Sequence, residues 1–128
     1  MKRKEWKKVV KASKNKEYQK AIDYLNNILA YKIDDQERVI VLVNIAQCEK
    51  KLNKIEEAVS FFDRAIDIEN KTNAFFALMH KAVFLYEIGK PQESLDIYNK
   101  VKAYPNLTAE DREAISINVD LIRERRSI

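Results

Sequence analysis

The chain holds 128 residues, with 24 Lys or Arg against 20 Asp or Glu, a formal charge of +4, and 46% hydrophobic residues. Such a length suits one domain, and that hydrophobic share excludes a disordered polymer, which lacks the apolar surface to offset chain entropy. One glycine and two prolines are too few for a hairpin-rich β fold, whose turns need special dihedrals, and the abundance of Lys, Glu, Ala, Leu and Ile favours an all-α protein.

Residues 1–16 carry eight Lys or Arg and a single Glu. They predict a basic first helix over residues 3–14, with Trp6, Val9 and Val10 on one face. Tyr18, Ala21, Ile22, Leu25, Ile28 and Leu29 follow the i, i+3, i+4, i+7 spacing of a second helix. Asp34 with Glu37 has the spacing of a capping box, which opens a third helix running to about Leu52. Asn53 suits the left-handed position that ends a helix, and a short break at 53–55 leads into a fourth helix carrying Ile55, Ala58, Val59, Phe62, Ala65 and Ile66. Thr72 is the expected N-cap of a fifth helix, closed by Gly89. Pro91 then opens a sixth with Ser94, Leu95, Tyr98 and Val101, and Pro105 stops it. Thr108 with Asp111 starts a seventh helix containing Ile115, Ile117, Val119, Leu121 and Ile122. Its terminal Arg123, Arg125 and Arg126 complement the negative dipole end.

Short breaks make consecutive helices antiparallel. The layout of residues 39–68 recurs thirty-six residues on, and its second half recurs thirty-seven residues earlier. One phase used three times implies hairpins that bury their apolar faces by stacking, an α-solenoid. These residues resemble the tetratricopeptide repeat. The second hairpin carries the pattern with Leu42, Ile45, Ala46, Ala58, Phe62 and Ala65, and the third with Leu78, Ala82, Leu85, Gly89, Ser94, Tyr98 and Val101. The first keeps Tyr18, Ala21, Leu25 and Ile28 but departs upstream, where Trp6 falls one place off and Glu5 and Lys8 hold positions that are often apolar. The resemblance implies a single domain with repeats at about 2–33, 35–70 and 72–106 and a capping helix at about 108–126. Periods of thirty-six and thirty-seven exceed the roughly 34 residues usual for the family, so the turns between repeats should be longer.

In such repeats the first helices line a concave groove. Projected onto this sequence, that groove is Trp6, Lys7, Val10, Ile40, Val43, Asn44, Gln47, Phe76, Met79, His80, Val83, Ile115 and Val119. Basic Arg3 and Lys14 lie near one end and Arg112 and Arg123 near the other. The stretches VIVLV and FFALM put apolar residues all round their helices, which fits either a hydrophobic binding surface or helices touching neighbours on several sides. Family members that hold chaperone carboxylate tails use lysines and asparagines in the groove. The positions concerned carry Trp6, Val10, Asn44, Phe76 and His80 here; only Asn44 agrees, which argues against that mode. The resemblance therefore implies an adaptor that binds a protein or peptide.

Other readings are self-association as a homodimer, a toxin-neutralising or regulatory inhibitor, and nucleic-acid binding through Lys2 to Lys16 with Trp6 as a stacking surface. The last is weaker, since no nucleic-acid motif accompanies the lysines. No nucleophile–base pair, phosphate loop or metal-ligand spacing points to an enzyme or a cofactor. Cys48 has no partner for an internal disulfide, and the N-terminal MKRKEWKK lacks the apolar core of a secretory signal. The longest apolar run, Val39 to Val43, is far too short to cross a bilayer. A cytoplasmic setting is expected, with no membrane partner.

Overall fold

The computed structural model describes residues 2–126; the side chains of Lys2 and Arg126, both assigned above to basic clusters, lie outside that description. Seven helices follow one another: α1 Lys2–Lys14, α2 Tyr18–Leu29, α3 Asp35–Lys51, α4 Ile55–Glu69, α5 Phe76–Glu87, α6 Pro91–Lys102 and α7 Ala109–Arg126. No strand occurs among the described residues. The fold is all-α and of the tetratricopeptide-like solenoid class.

The three hairpins α1–α2, α3–α4 and α5–α6 close through one device. Each has a three-residue break whose middle residue lies in the left-handed region: Lys16 at φ 59°, Asn53 at 63° and Gly89 at 86°. The next residue reaches back over the helix end. Glu17 N–H donates to Ala12 C=O at 2.8 Å, Lys54 N–H to Glu49 C=O at 2.9 Å and Lys90 N–H to Leu85 C=O at 2.8 Å. This six-to-one bond is the Schellman closure, which satisfies a carbonyl the helix would otherwise leave bare. The longer connections obey other rules. Before α3, the Asp34 carboxylate accepts the Glu37 N–H at 2.8 Å. Ahead of α7, Thr108 and Asp111 cap each other, with both bonds at 3.0 Å.

Thr72 does not cap α5. The helix begins at Phe76, and Thr72 Oγ1 instead donates to the Glu69 carbonyl at 3.4 Å. The cap comes from a distance: buried Glu69 accepts the Ala77 N–H at 2.8 Å, placing a carboxylate at the positive end of α5.

The chain divides into two compact units, Met1–Ala77 and Leu78–Ile128. In the first, α2 packs on α1 and α3, and α3 on α4. Val9 and Ala12 of α1, Leu25 and Ile28 of α2, and Val41 and Ile45 of α3 form one core. The first helix is therefore well anchored despite its thin apolar face. In the second unit α6 packs on α7. Asn118 Nδ2 donates to the Tyr98 hydroxyl at 3.1 Å across that contact. Buried Ser94 donates from its hydroxyl to the Ala82 carbonyl at 2.6 Å, which fixes how closely α6 approaches α5.

The turn residues make a paired prediction. A non-glycine residue in the left-handed region costs about 1 kcal/mol. Lys16→Gly should therefore stabilise the protein by a few tenths to about 1 kcal/mol. Gly89→Ala should destabilise by about 1 kcal/mol from backbone strain alone, since an added Cβ at Gly89 meets nothing within 4 Å. Urea unfolding followed by circular dichroism measures both; opposite signs are expected.

Candidate binding cleft

The residues projected onto a groove separate into surface and core. Val43 is 1% exposed, and Ile115 and Val119 are buried as well, so none of the three offers a binding surface. The reason is packing. α3 lies between α2 and α4, and Val39, Val41, Leu42, Val43, Ile45 and Ala46 bury more than one of its faces. Ile115 and Val119 share the inward stripe of α7 with buried Ile122.

In the first unit, Lys7, Val10 and Gln47 are exposed and Ile40 and Asn44 are half-buried. Asn44 turns its amide back on its own helix, donating from Nδ2 to the Ile40 carbonyl at 2.8 Å. Trp6 is half-buried against the α1–α2–α3 core, and its indole N–H donates to Glu37 Oε2 at 3.3 Å. The indole thus ties α1 to the start of α3 and does not stand free as a stacking platform. In the second unit, Met79 and His80 are half-buried. Val83 is 43% exposed and shares a small cavity with Tyr86 and Leu121.

Two of the projected residues do meet. Ile40 and Phe76 face a common cleft of about 390 Å³, formed by the start of α3, the end of α4 and the connection into α5. Val39, Ile68 and Ala74 complete its apolar wall, while Asp35, Gln36, Thr72 and Glu69 supply polar edges. Phe76 is 43% exposed at its rim, unusual for so large an aromatic. Asp35, Gln36, Ile68, Thr72 and Ala74 escape a reading based on first helices alone, because they sit at helix ends and in a connection. The signal for Thr72 and Ala74 is the lengthened repeat period, whose additional residues fall in the 70–75 segment; Asp35, Gln36 and Ile68 lie in α3 and α4 and carry no such signal.

The cleft can hold an apolar group of side-chain size. Its buried carboxylate, on Glu69, is committed to the α5 backbone. Among the described residues no group of three His, Cys, Asp or Glu side chains gathers as a metal site. No described helix is long and apolar enough to cross a membrane.

A family model described as Anaphase-promoting complex subunit 5 matches residues 7–103, about three-quarters of the chain. The chain belongs to that family. It is also similar to a TPR repeat-containing protein of Methanocaldococcus jannaschii, at 28% identity over 89 residues. The match covers 67% of this chain and 27% of that protein, so the chain spans little more than a quarter of that relative's length. Both likenesses are to helical repeats of the tetratricopeptide type, in keeping with the hairpins described above.

Two groups near these surfaces titrate abnormally. Burial holds the His80 imidazole below its ordinary 6.5. As pH falls, the unfolded chain takes up the proton first, so this group supports the fold fully above pH 6.5. That support is lost as pH drops from there toward the depressed value. The melting temperature should therefore fall as pH is lowered from 7 through 6.5, and His80→Gln should flatten the decline. Burial also pushes the Cys48 thiol up to about 11. A thiol so poorly ionised should react with a disulfide reagent at pH 8 only as fast as the protein unfolds, and addition of urea should release it.

Proposed function

We propose that the chain is a non-catalytic protein-interaction module that takes an apolar side chain of a helical or extended partner segment into the α3–α4–α5 cleft. The observation that carries this reading is the half-exposed Phe76 beside an open, mainly apolar cavity with polar edges. A few apolar anchors in a pocket of that kind dominate the affinity of most interfaces, with a polar rim setting orientation. The exposed lysines of α1, Lys4, Lys7 and Lys11 among them, would raise the encounter rate with an acidic partner. Family membership supports the same class of function, since the matched family is named for a subunit of a multiprotein complex. The three hairpins would then act as one adaptor domain.

Ile40→Asp with Phe76→Ser tests the cleft. Both positions retain solvent contact, so helical content should stay within a few per cent of the parent, whereas a change at buried Val43 would damage the core. A protein retained by the immobilised parent chain should be lost from the double variant, with affinity falling by about a hundredfold or more. Equal retention of the same protein by both chains would remove the cleft as the site.

A further inference from the structure

The α1–α2 hairpin carries a second cavity, of about 270 Å³, that shares no residue with the cleft. Lys8, Lys11 and Ala12 line it from α1, Glu17 from the turn, and Lys20 and Tyr24 from α2. Ala12 is buried and the three lysines are exposed, so the lysines form the rim and the alanine the base. The lysines are held with unequal firmness. Lys20 Nζ meets Glu17 Oε2 at 3.0 Å. Lys8 Nζ lies 5.5 Å from the centre of the Tyr24 ring and 3.7 Å from Glu5 Oε1, too far for a hydrogen bond. Lys11 acts on the Glu17 carboxylate at longer range. The bond from Lys20, and then the charges of Lys20 and Lys11, hold the Glu17 carboxyl below its ordinary value. The cavity thus already favours an anionic oxygen.

Charge indicates the occupant. Three lysines against one glutamate leave the lining two positive charges in excess. A carboxylate would neutralise one of them, whereas a phosphate monoester carries about two negative charges at pH 7 and accepts through three oxygens. Lysine meets phosphate as a compact point charge, and the Tyr24 phenol adds an O–H donor beside a ring against which carbon can pack. A nucleic-acid strand is less well served, because the indole of the basic helix, on which a base could stack, is half-buried and donates to Glu37. We propose that this cavity binds the phosphate group of a phosphorylated polypeptide side chain, with Lys8, Lys11 and Lys20 around it. The site does not rest on the cleft proposed above.

Amide chemical shifts of the 128-residue chain, titrated at low salt, test the proposal. The probes are a short capped peptide of phosphoserine flanked by alanines, its unphosphorylated form, and inorganic phosphate. The phosphopeptide should give saturable shifts grouped around the cavity, the unphosphorylated peptide none, and inorganic phosphate weaker binding at the same amides. Lys11→Ser and Lys20→Ser should each raise the dissociation constant by about threefold to tenfold. Lys4→Ser removes the same charge from the same helix at an exposed position outside the lining, and should change it less than about twofold. Glu17→Gln, which frees Lys20, should tighten binding by about twofold or more. All four positions are exposed, so circular dichroism should show unchanged helicity. A titration that never saturates, equal weakening by Lys4→Ser and Lys11→Ser, or no gain from Glu17→Gln would each overturn the proposal. Inorganic phosphate bound more tightly than the phosphopeptide would assign the cavity to the free ion and overturn the polypeptide source. An RNA oligonucleotide bound in the absence of any phosphopeptide response would assign the lysines to nucleic acid instead.

Discussion

The hairpins depend on close approach of helix backbones at one small residue in each second helix. Ala21, Ala58 and Ser94 occupy that place in α2, α4 and α6, and all three have no solvent contact. Four residues on come Leu25, Phe62 and Tyr98, and seven on come Ile28, Ala65 and Val101, each again buried. A small residue lets the paired helix come near, and the large residue a turn later fills the space that approach would leave open. In the third hairpin the distance is directly visible: a serine side chain spans from α6 to the main chain of α5 in a single 2.6 Å bond. A longer side chain at any of the three positions would force the helices apart and open the core around the large residue a turn later.

Close approach demands matching turns. The break between paired helices is three residues long every time, and its central residue adopts positive φ every time, but only one of the three is glycine. Asn53 tolerates that conformation and Lys16 does so poorly. The fold holds the strained lysine because the bond from Glu17 to Ala12 and the burial of Val9 and Ala12 on α2 outweigh roughly 1 kcal/mol of backbone cost. Strain here belongs to packing and has no evident link to binding.

Helix order, the hairpin stripes and the caps at Asp34 and Thr108 were legible because local signals and periodicity agreed. Three features were not. Trp6 looked like a groove residue because its partner, Glu37, is thirty-one positions away, and Glu37 itself looked like half of a capping box. Thr72 had the chemistry of an N-cap, but the buried Glu69 reached the α5 backbone instead, leaving the intervening residues as connection. Val119 shares the first-helix register of exposed Gln47 and Val83, and Val43 and Ile115 share that of half-buried Met79, yet all three are buried. Their exposure depends on which neighbouring helices close over them, and no residue spacing encodes that.

The Glu69 contact also explains why the cleft is apolar. A connection two or three residues longer than the repeat requires could have folded back as a polar loop over the α3–α4 end. Instead the carboxylate that might have served a ligand is drawn inward to cap α5, and the Asn44 amide beside Ile40 is satisfied by its own helix. With those polar groups already bonded, a charged ligand would find little here to offset its desolvation. An aliphatic or aromatic side chain loses no hydrogen bonds on entering, and the polar edge at Asp35 and Gln36 stays at the rim. The same bond that starts the fifth helix thus selects the chemistry of what the cleft can hold.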